Sequence, residues 1–183
     1  MTEENNKIDK TYIVVLTIAV FLMWSLHELS HWAVGEYLGY DMRITLNGAF
    51  PANDQFNSDR DYQIISAAGP IFNLVIGILF FILMIQRQRK LLYPFLFTCF
   101  YSRLLATLLS FRNPNDEARI SKAFGLGTFT LPAIMTAILF FFVYKISRDY
   151  KFLIKFNLIN LGLTILFSSV IILTDQYLHI QLL

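Results

Sequence analysis

The first long apolar run of the chain ends in the stretch His27-Glu28-Leu29-Ser30-His31. On a helix, residues four apart point from the same face, so both imidazoles can reach one ligand. Two histidines at this spacing can hold one zinc ion, and the glutamate between them can act as a general base. The same residues would also fit a helix that simply ends at the water interface. Burying such polar groups at the end of a lipid-length helix is costly, which favours the metal site.

The composition indicates an integral membrane protein. The 183 residues are 56% hydrophobic and 16% aromatic, and apolar runs long enough to cross a bilayer recur along the chain. The net charge of +2 is small, and the basic residues form short clusters between the apolar runs, which gives no indication of nucleic-acid binding. Cys99 is the only cysteine, so a disulfide within the chain and a cysteine-based zinc site are excluded. A histidine-bound metal must therefore use His27, His31 or His179.

The apolar segments predict an all-α polytopic membrane protein with five transmembrane helices. We expect a free polar tail at residues 1–11 and a single integral membrane domain at residues 12–183. Pro132 is expected to kink the fourth span. The predicted spans cover residues 12–38, 62–85, 91–111, 123–144 and 152–174.

A short β-hairpin is predicted between the first two spans. Residues 42–46 alternate between apolar and polar side chains, and Asn47-Gly48 follows them. Pro51 would confine the second strand to an edge position. More lysines and arginines lie on the side of the N-terminal tail than on the opposite side, which predicts a cytoplasmic N-terminus.

The predicted topology brings polar residues from three distant segments to the same depth. The first span ends, the second begins and the third ends on one side of the membrane, so Asn73 and Asp116 are expected near the histidine pair. Asp116 is the preferred third metal ligand, because carboxylates bind zinc well. It could equally serve as the N-cap of the helix that follows, a role that Asn115 could also fill. The other candidate ligands are Glu36, Asp41, Glu117, Asp175 and His179.

Two polar residues within the spans have both a structural and a functional interpretation. Asn73 follows a run of small residues and a proline, and it could hydrogen-bond a neighbouring helix, hold a substrate backbone or stabilise an oxyanion. Arg103 could snorkel towards water or pair with a carboxylate such as Glu28 or Asp116. A structural ion pair is the preferred interpretation for Arg103.

Three motifs resemble the core of the site-2 protease family, which consists of intramembrane zinc metalloproteases: His-Glu-Leu-Ser-His, Ala-Gly-Pro-Ile-Phe-Asn and Asn-Pro-Asn-Asp. The resemblance covers about residues 12–120 and implies a three-helix metalloprotease core at residues 12–122, followed by two additional spans at residues 123–174. Glu117 stands where the family usually has a glycine, which indicates a divergent member. The roles implied by position are zinc binding by His27, His31 and Asp116, water activation by Glu28, and substrate binding by Asn73, Gly69 and Pro70.

The sequence therefore predicts a zinc metalloendopeptidase that cleaves a peptide bond in or near a transmembrane segment of a membrane-protein substrate. The resemblance implies one Zn²⁺ per chain and a bacterial cytoplasmic membrane, and it leaves the oligomeric state open. Two alternatives also stay open, a catalytically silent scaffold and a membrane zinc-binding or transport protein. The intact Glu28 disfavours the first, and the lack of a continuous polar path along the last two spans disfavours the second.

Overall fold

The computed structural model describes residues 2–178 and 181–182, and that part of the chain is largely helical. Five of its helical segments are long and apolar enough to cross a membrane, namely Lys10–Tyr37, Asp59–Arg87, Lys90–Leu109, Thr130–Asp149 and Ile154–Leu178. This confirms the predicted all-α polytopic class. The elements are α1 (Thr2–Asn6), α2 (Lys10–Tyr37), β1 (Met42–Thr45), β2 (Gly48–Pro51), α3 (Asp59–Arg87), a 3-10 turn (Lys90–Leu92), α4 (Tyr93–Leu109), α5 (Asp116–Ala123), α6 (Thr130–Asp149) and α7 (Ile154–Leu178).

Polar caps mark the start of the first two long helices. The carboxylate of Asp9 accepts a hydrogen bond from the backbone N–H of Tyr12 (2.8 Å), and the hydroxyl of Ser58 accepts one from the N–H of Asp61 (3.1 Å). Each cap satisfies an N–H group that the helix itself leaves unpaired. At its other end α3 stops where Gln88 adopts the left-handed conformation, with φ of 51°. These local signals fix the ends of the spans that carry the site.

Aromatic packing closes the bundle near the start of α2. Tyr12 packs edge-on against Phe156 with ring centroids 5.4 Å apart, and Tyr93 packs against the same Phe156 ring at 5.9 Å. The three helices α2, α4 and α7 are thereby joined about four helical turns before His27. The polar residues of α2 therefore lie well beyond this aromatic cluster along the helix.

The predicted hairpin is present, and it is tied to two spans. β1 and β2 pair antiparallel around a two-residue turn, Leu46-Asn47. The indole N–H of Trp24 on α2 donates to the side-chain oxygen of Asn47 (2.8 Å), and the backbone N–H of Leu46 donates to Asp175 on α7 (3.0 Å). The hairpin turn is thus held against the middle of α2 and the end of α7.

The fourth span begins later than the sequence predicts. Residues 116–123 form the separate helix α5, and Gly125 and Gly127 follow it with left-handed backbone (φ of 71° and 81°) before α6 starts at Thr130. Pro132 then lies in the first turn of α6, where no hydrogen bond within the helix is lost. The predicted kink at Pro132 is therefore wrong.

The N-terminal segment is not the free tail that the sequence suggests. α1 packs against the loops at that end of the bundle, where the side-chain amide of Asn5 donates to the carbonyl of Tyr150 (3.1 Å). The ammonium group of Lys90 donates to the carbonyls of Glu4 (2.6 Å) and Lys7 (2.9 Å). Polar side chains and free backbone carbonyls thus hold the tail in place.

Candidate metal centre

Three predicted ligands meet where α2 and α5 approach each other. His27 and His31 are buried, and their Nε2 atoms lie 3.3 Å apart. One carboxylate oxygen of Asp116, Oδ2, lies 3.5 Å from Nε2 of His27 and 3.4 Å from Nε2 of His31. The group could hold a metal ion, as the sequence predicts.

The triangle of ligand atoms has the size that a small divalent ion requires. Zinc binds nitrogen and oxygen at about 2.0–2.2 Å, so neighbouring ligand atoms in a tetrahedral site lie about 3.3–3.6 Å apart. The Nδ1 atom of His31 is 2.7 Å from the carbonyl oxygen of Ile65, to which it donates in the neutral ring. The lone pair of Nε2 then faces the other two ligand atoms, and a cation is the natural partner for these converging lone pairs.

A guanidinium group holds the other oxygen of Asp116. Nη2 of Arg119 lies 2.5 Å from Oδ1, and the same guanidinium stacks over the ring of Tyr62 at 5.3 Å. Burial opposes the charge on Asp116, but the two histidines beside it outweigh burial and hold the pKa of this carboxyl well below its usual range. Sequence reasoning missed Arg119, although its spacing of three residues from Asp116 on one helix face was a usable signal.

Gly69 lets α3 approach the histidine pair. A Cβ atom at this position would overlap with the imidazoles of both His27 and His31. Pro70 follows inside α3, also buried, and as a proline it frees the backbone carbonyl of Ser66 from the helical pattern. Gly69 and Pro70 therefore shape the wall behind the ligands, and neither lines the two cavities described below.

Four of the rival ligand candidates lie away from the centre or outside the described residues. The carboxylates of Glu36 and Asp175 accept backbone N–H groups at the start of β1 (2.8 Å) and in the hairpin turn (3.0 Å). Asp41 is exposed at the surface. His179 lies outside the residues that the structure describes.

The fifth rival, Glu117, forms a buried ion pair with Arg103. Nη1 of Arg103 donates to Oε1 of Glu117 at 2.9 Å, and the two residues are only 4% and 3% exposed. The predicted ion pair exists, but its partner is neither Glu28 nor Asp116, because α5 turns Glu117 towards α4. Nη2 of the same guanidinium lies 3.4 Å from Nε2 of His27.

Two cavities flank the centre. The central cavity has a volume of about 260 Å³ and lies among α2, α4 and α7, with apolar walls that include Met23, Leu105, Leu109 and Ile172. The hairpin cavity has a volume of about 290 Å³ and lies between the hairpin, α3 and α5. His27 lines the central cavity, whereas His31 and Asp116 line the hairpin cavity. The metal centre is thus reachable from two sides.

Glu28 lines both cavities and is 8% exposed. None of the hydrogen bonds among the described residues involves its carboxylate. A carboxylate that faces a cavity next to converging metal ligands can exchange a proton with a molecule bound there. This placement fits the general base that the sequence predicts.

Asn73 is almost fully buried, at 1% exposure, and lines the central cavity. Its Nδ2 atom donates to the hydroxyl of Ser102 (3.0 Å), and Ser102 in turn donates to the carbonyl of Cys99 (3.0 Å). The Oδ1 atom of Asn73 has no hydrogen-bond partner among the described residues. The residue thus joins α3 to α4 and keeps one acceptor for a ligand.

Comparisons of the chain with protein families, with curated proteins and with solved structures find no match. What the chain does must therefore be argued from the site itself. Its described residues include five helices long and apolar enough to cross a membrane, and the group of His27, His31 and Asp116 could hold a metal ion.

Proposed function

We propose that the chain is an intramembrane zinc metalloendopeptidase of the site-2 protease type. The observation that carries the proposal is the triangle of His27, His31 and Asp116, with the unpaired carboxylate of Glu28 in the adjoining cavities. A site that only stored or scaffolded a metal would have no use for a free carboxylate beside it.

The charges around the site favour a bound cation. The carboxylate of Asp116 lies against both imidazoles and Arg119, and the carboxylate of Glu28 lies beside them with no ion pair among the described residues. A bound cation would offset the charge of these carboxylates in a setting where uncompensated charge is costly. Two nitrogen ligands and one carboxylate oxygen are also a common donor set for catalytic zinc.

Zinc bound by these residues would lower the pKa of a water molecule to about 7 and polarise the scissile carbonyl. Glu28 would take a proton from the attacking water as its oxygen bonds to the carbonyl carbon. Glu28 would then deliver that proton to the amide nitrogen as the C–N bond breaks. The products are a carboxyl group and an amine, so the atoms of one water molecule are fully accounted for.

A membrane-spanning segment is the substrate that suits the central cavity. Apolar side chains of three spans form part of its walls, and His27 and Glu28 also line it. The carbonyls of a helical substrate are already hydrogen-bonded, so the segment must unwind locally before it can be cleaved. The substrate class is therefore a membrane protein with a span, or a segment beside it, that unwinds readily.

Metal content of the full chain, purified in detergent and supplied with zinc, tests the proposal first. We expect about one zinc per folded wild-type chain, loss of zinc in Asp116→Ala, and retention in the control Asp175→Ala, whose carboxylate holds the hairpin instead. The wild type is then incubated with a panel of single-span membrane proteins, and mass spectrometry identifies any new termini. Zinc-loaded protein that cleaves nothing would favour the silent scaffold, and folded protein without zinc would overturn the metal site.

A further inference from the structure

Buried polar atoms without hydrogen-bond partners are concentrated around the central cavity. Residues that line it contribute His27 Nδ1, Asn73 Oδ1, Arg103 Nε and Asn115 Nδ2. Such atoms are uncommon in folded proteins because each carries a desolvation penalty. A cluster of them beside a metal centre therefore indicates a ligand that supplies the missing partners. A peptide group, with one carbonyl oxygen and one N–H, is such a ligand.

Asn73 offers this ligand an acceptor. Because Ser102 uses its own proton on the carbonyl of Cys99, its oxygen can only accept from Asn73, so Nδ2 must be the atom that faces Ser102. The remaining free atom of Asn73 is the carbonyl Oδ1. An acceptor can hold a substrate N–H, but it cannot stabilise a developing negative charge.

Arg103 offers a charged donor. Its Nη1 atom donates to Glu117, and its Nη2 atom lies 3.4 Å from Nε2 of His27. Its Nε atom has no hydrogen-bond partner within the described part of the chain. Nε and Nη2 share one edge of the planar guanidinium group, and such an edge binds oxygen anions with two parallel hydrogen bonds. One donor of this edge, Nη2, lies beside the proposed ligand His27. A lone pair of His27 that is used on a metal cannot also accept from Nη2, so both donors are then available.

We infer that Arg103 binds the carbonyl oxygen of the scissile peptide and stabilises the negative charge that develops on it. The inference rests on the proposed function. A guanidinium group fixed by a buried ion pair requires little reorganisation during the reaction, and it acts in a setting of low dielectric. The side-chain amide of Asn115 is a second donor in the same cavity, but it is neutral and therefore weaker.

The experiment separates this role from the structural role of the ion pair. Arg103→Met alone would leave Glu117 buried and unpaired, so the informative comparison is the double variant Arg103→Met/Glu117→Gln against the single variant Glu117→Gln. Both lack the ion pair, and only the second keeps the guanidinium. We expect the double variant to lose a further factor of about 10²–10³ in kcat, with similar KM and equal zinc content. Equal kcat in the two variants would overturn the inference.

A binding measurement provides a second readout that does not depend on turnover. The probe is a phosphinate peptide, whose anionic oxygens resemble the tetrahedral transition state, compared with the parent peptide in a Glu28→Gln background. We expect removal of Arg103 to weaken binding of the phosphinate by at least about tenfold and to leave the parent peptide unaffected. Equal weakening of both probes would mean that Arg103 only shapes the cavity. A zinc-loaded wild type that cleaves nothing would instead overturn the proposed function, and this inference with it.

Discussion

Two groups of buried polar residues lie within the spans, and they differ in how they are partnered. On α7, Asn160, Thr164 and Ser168 recur every four residues on one face and are at most 1% exposed; we refer to them as the α7 seam. Its members are hydrogen-bonded, as when the hydroxyl of Tyr12 donates to Oδ1 of Asn160 (2.7 Å) and Ser168 donates to the carbonyl of Thr164 (2.7 Å). At the candidate metal centre, by contrast, three ligand atoms converge, and several polar atoms around it lack hydrogen-bond partners among the described residues.

The difference shows how to interpret polar residues in a membrane span. Groups that satisfy each other hold helices together, and their removal affects stability. Groups that remain unsatisfied around one point need a ligand, and their removal affects chemistry. Except for Nδ2 of Asn160, which has no partner, the α7 seam belongs to the first kind. Paired substitutions in the two groups therefore test the distinction.

The largest expected difference is between Glu28→Gln and Ser168→Ala. Loss of the general base should reduce cleavage by about 10²–10⁴-fold or more while zinc is retained. The Ser168 variant should cleave like the wild type, because this hydroxyl lies in the α7 seam. Initial rates and zinc content of the purified proteins provide the measurement. Turnover that survives in Glu28→Gln would contradict the mechanism.

A methyl group added at Gly69 should disturb the centre more than the same change elsewhere. Gly69→Ala places a Cβ atom against both imidazoles, so we expect zinc affinity to fall by about 100-fold, near the upper end of outer-shell effects. Gly162→Ala is the matched control, since a Cβ there meets no atom within 4 Å. Competition with a chelator gives both affinities. Equal affinities in the two variants would show that α3 can move away from the histidines freely.

Removing the guanidinium that holds Asp116 should have a smaller effect. Arg119→Gln is expected to weaken zinc binding by about 10–100-fold, because Asp116 loses the partner that orients it. Arg112→Gln, on the exposed loop after α4, provides the control for a lost positive charge. The same chelator assay applies. A similar decrease in zinc affinity in both variants would mean that Arg119 acts through its positive charge and not by orienting the Asp116 carboxylate.

The smallest effect is expected from a substitution that removes a hydrogen bond to the α7 seam. It should lower the stability of the protein and leave zinc binding unchanged. Tyr12→Phe removes the donor to Asn160, and interhelical hydrogen bonds of this kind contribute about 0.6–1.7 kcal/mol. Unfolding of the purified protein in detergent by a denaturing surfactant would measure the loss, and zinc affinity should stay unchanged. A change in zinc affinity without a change in stability would mean that the α7 seam contributes to metal binding.

The sequence was most informative where the position of a residue depended only on the geometry of one helix or on the order of the spans. His27 and His31 share a face because of their spacing, and Asp116 reaches them because the third span must end on their side of the membrane. The class, the five spans and the hairpin follow from similarly local patterns. None of these predictions needed knowledge of which side chains pack together.

The incorrect predictions concern contacts that only the packed bundle determines. Arg103 pairs with Glu117 instead of Glu28 or Asp116, because the break after α4 sets the rotation of α5, which the sequence does not indicate. The fourth span was predicted to begin at residue 123, whereas α6 begins at Thr130. The left-handed glycines between these helices, Gly125 and Gly127, were the overlooked signal.

The bond between Asp175 and the hairpin turn bears on whether the site could exist as a smaller module. All the proposed ligands and the base precede residue 124, which suggests a core that could be cut out of the chain. However, α7 contributes Ile172 and Gln176 to the central cavity, and its Asp175 anchors the hairpin that borders the other cavity. A fragment without the last two spans would keep every reactive group, yet it would lack one wall of the central cavity and an anchor of the hairpin. The proposed ligands and base thus lie in one part of the chain, and residues that close the cavities around them lie in another. Neither part would form the complete site alone.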